Sequence, residues 1–309
     1  MPKIYAIGET VFDIIFKDGI PVKATPGGSM LNTAVSLGRL GLDVSFISDM
    51  GNDIVGDEII KFLKDNGINT NYIQRYKNHN SGIAVAFLNE KNNAAYSFYR
   101  DFPSNRLTDL EVEFTEDDIV IFGSFFALTK ELRPALHKLL VNANEAGCIV
   151  LYDPNFRRPH LFELETLRPF INENIRSADI VRGSDEDFQL IFGSNSGNQA
   201  FEAVIAEGCS NLVYTANRNG VEAHSPGIVL CYEVPEIMVV SSIGAGDNFN
   251  AGIIWSMIQY NIYKKDLEHV HKKMWNKMIL NGIEFASEVC KSYDNYISHD
   301  FAITKTVID

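Results

Sequence analysis

The chain is 309 residues long, 46% hydrophobic, and carries 40 acidic against 27 basic residues for a formal charge of −13. That length and composition fit one large α/β core and exclude disorder, and the acidic balance argues against nucleic acid or an anionic membrane as a partner. There is no 18-residue apolar run, signal peptide or CxxC spacing, so a cytoplasmic protein without a transmembrane helix or a zinc site is expected. The four cysteines are scattered, and Cys148 and Cys231 read as buried free thiols beside Cys209 and Cys290.

In chain order, Ile4–Gly8 is an apolar run that suits a buried strand, and Phe12–Ile20 alternates like a strand with one face covered. Pro26-Gly27-Gly28 reads as a turn. From Ser29 to Leu40, Leu31, Ala34, Val35 and Leu37 keep helical spacing, with Gly38 and Gly41 near the end. Val44–Met50 predicts a strand, and Asp57–Asn66 a helix closed by Gly67. Gly82–Asn89 and Ala94–Arg100 are rich in β-branched and aromatic residues and predict a hairpin around Lys91-Asn92-Asn93. With Phe12–Ile20 it would form a small separate sheet, a lid drawn from about 12–25 and 80–106.

After Leu107, strand and helix alternate. Ile119–Phe122, Cys148–Tyr152, Asp179–Val181 and Asn211–Thr215 are strand-like, while Leu132–Ala146 and Gln199–Glu207 are helical. This rhythm predicts a doubly wound, mostly parallel sheet with helices on both faces. Val221–His224 and Ile228–Val234 read as late antiparallel strands, and helical patterns run from Asp247 towards Val289.

The strongest chemical signal is Gly244-Ala245-Gly246-Asp247, which opens a helical pattern from Asn248 to Gln259. Small residues let N–H groups converge on an anion, and the helix adds its own free donors. A carboxylate at that point would repel phosphate. It makes sense if Asp247 takes the proton of a hydroxyl that then attacks phosphorus. Gly27-Gly28 with Asn32 offers a close backbone approach and a donor–acceptor pair for a sugar hydroxyl, although the same residues fit an ordinary helix entry. Asp13 lies just beyond the first strand, where parallel sheets place ligands, or is a plain loop residue. Arg157, in Asp153-Pro154-Asn155-Phe156-Arg157, could neutralise phosphate or sit in a polar turn. Ser184-Asp185-Glu186-Asp187 could hold Mg²⁺, or could start a helix with Ser184 as cap. Arg100 touches substrate only if the hairpin covers the pocket. His269 and His271, two apart, fall on different helix faces and suggest no metal site.

In this order, Gly8-Glu9 with Asp13, Gly27-Gly28 with Asn32 and Leu40-Gly41, Asp153–Arg157, and Gly244–Asp247 with Phe249 and Gly252 resemble the ribokinase-like (PfkB) sugar kinases. The resemblance spans nearly the whole chain. The Asp-Pro-Asn-Phe-Arg stretch is most similar to the fructokinase and 2-keto-3-deoxygluconate kinase branches. The resemblance implies a single ribokinase-like domain over 1–309, a small β lid, ATP and Mg²⁺ as cofactors, and a homodimer joined through the lids. Asp247 would be the base, with the N–H groups of Gly244, Ala245 and Gly246 as anion hole and Arg157 near the transferred phosphate. Asp13, Gly27, Gly28 and Asn32 would hold the sugar, and Arg100 resembles a lid arginine that meets substrate. Ser184, Thr215, Asn217 and Gly220 would face the nucleotide, and Glu186 and Asp187 the Mg²⁺.

Four departures qualify this. Ser241-Ser242-Ile243 replaces the family's Asp-Thr and variable residue, and Tyr293-Asp294-Asn295 replaces a Gly-containing loop. Both normally serve a potassium-type cation, so the resemblance does not by itself imply monovalent-cation activation of this chain. The family's Asn-x-x-Glu is here Ser184-Asp185-Glu186-Asp187, and its Thr-x-Gly is Thr215-Ala216-Asn217. The resulting expectation is phosphoryl transfer from ATP to a primary hydroxyl of a small sugar, with fructose first. A sugar-acid kinase, motivated by Arg100, and a catalytically weak sugar- or nucleotide-binding regulator, motivated by positions 184, 187, 217 and 241, stay open.

Overall fold

The computed structural model describes residues 2–88, 94–108 and 110–306. β1 (Ile4–Ile7) is buried along its length and serves two cores, with Ile4 and Ala6 on one side and Tyr5 and Ile7 on the other. A strand covered on both faces belongs in the middle of a sheet. The chain leaves it for β2 (Val11–Lys17) and β3 (Ile20–Gly27), then returns through α1 (Ser29–Arg39) to β4 (Val44–Gly51), parallel to β1. α2 (Ile54–Asp65), β5 (Ile68–Asn69) and β6 (Ile73–Tyr76) complete that flank, and β7 (Ile83–Leu88) and β8 (Ala94–Tyr99) rejoin β2.

Winding then reverses. β9 (Ile119–Gly123) pairs with the other side of β1. The sheet grows outward through α3 (Arg133–Ala146), β10 (Ile149–Asp153), α4 (Leu164–Ser177), β11 (Ile180–Ser184), α5 (Asp185–Phe192), α6 (Gly197–Ala206) and β12 (Leu212–Thr215). β13 (Val221–Ser225) and β14 (Ile228–Tyr232) close it antiparallel, giving the order β14-β13-β12-β11-β10-β9-β1-β4-β5 with β6 also on β4. α7 (Ala245–Gln259), α8 (Lys264–Leu267), α9 (Lys272–Val289) and α10 (His299–Thr306) follow. Residues of α1, α2, α7 and α9 fill one core, and residues of α3 to α6 fill the other. This is the doubly wound sheet that the alternating rhythm predicts. The reversal between β1 and β9 opens a crevice at the carboxyl ends of the strands, where such sheets hold ligands.

The order β3-β2-β7-β8 forms a separate four-stranded sheet, antiparallel within each hairpin and parallel between β2 and β7. The expected turn at Lys91-Asn92-Asn93, with Asn89, lies outside the described residues. β3 is not the turn that Pro26-Gly27-Gly28 suggests: Pro26 pairs with Phe12 and Gly27 with Val11. It is an edge strand, so the N–H that Pro26 lacks leaves no interior ladder bond unmade. Asp13 likewise stands on β2, inside this sheet, rather than in a loop. The chain returns from the lid at Arg106, which makes two 2.7 Å bonds to Asp49 of β4 in a buried pair.

Two smaller expectations change. α2 begins one turn early because Asp53 caps it, accepting from the Gly56 N–H at 2.8 Å. Cys231 is exposed, since β14 is the outer strand of the main sheet, whereas Cys148 and Cys209 are buried; all four thiols are free. Among the described residues no helix is long and apolar enough to cross a membrane.

Candidate active site

α7 begins inside the glycine motif. Gly244 adopts a left-handed conformation (φ +81°), and the space its Cβ would need belongs to the Asn295 carbonyl, 2.5 Å away. Asn248 stitches the turn, donating from Nδ2 to the carbonyls of Gly244 (2.7 Å) and Asn295 (2.8 Å). The Ala245 N–H folds back onto the Ser242 carbonyl at 3.3 Å. The three-donor hole expected from Gly244, Ala245 and Gly246 is therefore redrawn. The N–H groups of Gly244, Gly246 and Asp247 are the ones in this turn without an acceptor among the described residues. They carry the positive end of the α7 dipole.

Asp247 lies in that first turn, against the start of α1. Ser29 Oγ donates to Oδ1 at 2.6 Å, Asn32 Nδ2 to Oδ2 at 2.8 Å, and Thr33 Oγ1 to the main-chain carbonyl at 2.8 Å. Burial pushes the carboxyl up to about 6. The bonds from Asn32 and Ser29 oppose that push, Asp153 adds to it, and the charge of Arg157 pulls down. A base poised near the working pH can accept a hydroxyl proton and give it up again. Asn32 Oδ1 is buried without a partner, an acceptor that a substrate hydroxyl would satisfy.

The glycine pair has a different physical origin from the one its sequence suggests. A Cβ at Gly27 would strike the Asp13 carboxylate, and one at Gly28 (φ +142°) would strike the Glu9 carbonyl. These glycines make room first for the protein's own oxygens. Burial and the neighbouring Glu9 push Asp13 up to about 7, with Lys23 opposing.

Beneath α7 lies a buried network that sequence reasoning missed. Arg182 of β11 donates to Asp153 (3.0 Å) and to Thr215 Oγ1 (2.8 Å), and Asn250 Nδ2 donates to the same Asp153 oxygen at 2.6 Å. A Cβ at Gly246 would stand 2.6 Å from Arg182 Nη1, so this glycine admits the guanidinium. Thr215 is thus held inside the network. Asn217 (φ +49°) is exposed just past β12, and Gly220 (φ +109°) lies against the Tyr232 carbonyl. Ser29 also went unnoticed. Its signal was a hydroxyl three residues before Asn32, on the same helix face.

The acidic run resolves towards the helix-start reading. Ser184 caps α5, and Asp187 completes a capping box. Asp187 Oδ2 accepts from the Ser184 N–H and Oγ (2.7 and 2.6 Å), and Oδ1 from the Phe156 N–H (2.6 Å). Both oxygens of Asp187 accept hydrogen bonds that hold the start of α5. Glu186 faces outward, 3.7 Å from Arg158. Arg157 is exposed after β10. Arg100 follows β8 and pairs with Glu9 at 3.0 Å, with its guanidinium 4.9 Å above the Phe98 ring centre.

Known proteins are similar to this chain in sequence and in fold. The model of the pfkB family carbohydrate kinases matches residues 1–291. The fructokinase of Escherichia coli is 27% identical over 259 residues, covering 82% of this chain and 83% of its own. The probable fructokinase-2 of Arabidopsis thaliana is 24% identical over 281 residues, covering 87% and 85%. Among solved structures, the fructokinase of Vibrio cholerae O395 bound to fructose, ADP and calcium superposes with a TM-score of 0.85 at 18% identity, covering 99% of each chain. The aminoimidazole riboside kinase of Salmonella enterica, with aminoimidazole riboside and an ATP analogue, does so at 0.83 and 21% identity, over 98% and 99%. The chain belongs to the pfkB family of carbohydrate kinases.

Proposed function

We propose that this carbohydrate kinase transfers the γ-phosphoryl group of ATP to a primary hydroxyl of a small neutral sugar, with fructose as the first candidate. One observation carries the reading: Asp247 is fixed by Ser29 and Asn32 at the open N-terminus of α7, with its carboxyl raised to about 6. In the reaction, Asp247 accepts the hydroxyl proton as the oxygen attacks phosphorus, and ADP leaves. Charge on the transferring group faces the N–H groups of Gly244, Gly246 and Asp247, with Arg157 nearby. Asp13 and Asn32 supply acceptors for the remaining sugar hydroxyls. The fructokinase relatives support fructose. The lid arginine supports a neutral sugar over a sugar acid, because Arg100 is already paired with Glu9.

The finer assignments belong to the same reading. Mg²⁺ ordinarily takes one or two carboxylates plus substrate phosphates. The outward Glu186 and Asp185 fit an ion brought by the nucleotide, and that ion would neutralise phosphate charge. Asn217 and Gly220 lie at the carboxyl edge of β12, where a nucleotide would pass. Free thiols suit a reducing compartment such as the cytoplasm.

The test is ADP release across hexoses, pentoses, sugar acids and nucleosides, with K⁺ as a variable. Fructose should give turnover of roughly 1 s⁻¹ or more, without a requirement for K⁺. Asp247→Asn should lower kcat by about 10²–10⁴ while sugar affinity persists. Near-normal turnover in that variant would remove Asp247 from the role of base, and wild-type turnover far below that rate with every sugar would favour the regulator.

A further inference from the structure

We propose that Lys23 is a positioning residue that ties closure of the lid over the sugar to the shape of the phosphate-receiving turn at Gly244. The proposal rests on the kinase reading above. Lys23 stands on β3 opposite Ile15, two residues before Thr25, the partner of Asp13. Its ammonium leaves the lid, donating to the Tyr293 carbonyl at 2.9 Å and to Asp294 Oδ1 at 3.1 Å. Those two residues begin a short segment between α9 and α10 that backs the active site.

The segment is gripped from three directions. Lys23 holds its start. Next in sequence, the Asn295 carbonyl packs under Gly244 and accepts from Asn248 of α7. Two residues on, the Ile297 N–H donates to Ser36 Oγ (3.1 Å) and its carbonyl accepts from Arg39 (2.7 Å), both on α1. Gly244 is the residue whose left-handed conformation aims the N–H groups that follow. Whatever fixes Asn295 therefore fixes those donors. The charge of the same ammonium also acts on Asp13, the carboxylate proposed to hold the sugar.

An exposed ion pair of this kind stabilises a fold very little. Its two ends, however, belong to different parts, β3 of the small sheet and the segment after α9, so a movement of the lid would break it. A contact made in one state and absent from the other contributes fully to the difference between them. Sugar that closes the lid then also sets the Asn295–Gly244 backing, so sugar and nucleotide each raise the other's affinity by the same factor.

The experiment measures that factor in the full chain by calorimetry: fructose affinity with and without a non-hydrolysable ATP analogue, and the reverse. Wild type should show a coupling of about five-fold or more. Lys23→Met should bring it close to one, and Lys23→Arg, which keeps charge and reach, should retain most of it. Asp294→Asn should lose part, because the Tyr293 carbonyl remains. Since Asp13 feels Lys23, the acid limb of kcat/KM for sugar should also move to higher pH in Lys23→Met but not in Lys23→Arg. A general loss of fold would lower both affinities without changing their ratio. Coupling in Lys23→Met within about two-fold of wild type, in a protein that still phosphorylates fructose, overturns the strap and leaves the kinase reading intact. A wild type that turns over no sugar overturns both.

Discussion

Asp13 and Asp247 are shifted in the same direction for the same main reason, burial, and the consequences for activity and for stability run in opposite senses. A base works only as the carboxylate, so turnover should rise with pH through about 6, the value to which Asp247 is pushed. The fold, by contrast, favours the neutral form of Asp13, whose value is raised from 3.8 to about 7. Such a group contributes stability that is fully present below its unfolded value and lost as pH rises through its folded one. Wild type should therefore melt at a lower temperature at about pH 8 than at about pH 5, and Asp13→Asn should flatten much of that slope. Thermal melts of both proteins at the two pH values check this; equal slopes would remove Asp13 as its source. The kinase thus works best where these two carboxyls cost its fold the most.

At the scale of the element, the first turn of α7 depends on what stands behind it. Gly246→Ala would push a methyl group into the Arg182 guanidinium, which already holds Asp153 and Thr215. Overpacking of this kind costs about 1–3 kcal/mol, measurable in urea unfolding, and should lower kcat by displacing the turn. The shorter head group of Arg182→Lys in the same chain should relieve part of the cost, so the two changes should not be additive. The sequence made the turn legible as a motif but not its support, and the reason is distance along the chain. Asn250 and Asp153 are 97 residues apart, and Ser29 and Asp247 are 218 apart. Hydrophobic spacing and end signals located the buried strands and α1 because those patterns are local. They missed β3, where Pro26 and Gly27 look like a turn yet lie on an edge strand, and they left the role of the Ser184–Asp187 run open because capping and metal binding draw on the same residues. The glycines were found for a partly wrong reason: at 27, 28, 244 and 246 the missing Cβ admits a protein atom.

The whole molecule poses one further question, which is what covers the lid. Its strand order leaves β3 and β8 as edges, and Ile20, Val22, Phe87 and Tyr99 are 65%, 56%, 51% and 63% exposed. Exposed apolar side chains on a small sheet with two edge strands suit a surface that pairs with another chain. A second copy of this chain is the simplest occupant, since two lids meeting about a two-fold axis would bury both patches at once. The same lid carries Asp13, proposed above to hold the sugar, so a partner that stiffens it would also serve sugar binding. Sedimentation should find a dimer in the wild type and a monomer in Val22→Asp, with the fold intact by circular dichroism. In the monomer, KM for sugar should rise more than kcat falls, because Asp247 and its supports lie on α7 and α1, outside the lid. A wild type that sediments as a monomer would leave these exposed side chains to another partner, and an equal loss in kcat and KM would mean that the lid's partner shapes the catalytic turn as well as the sugar pocket.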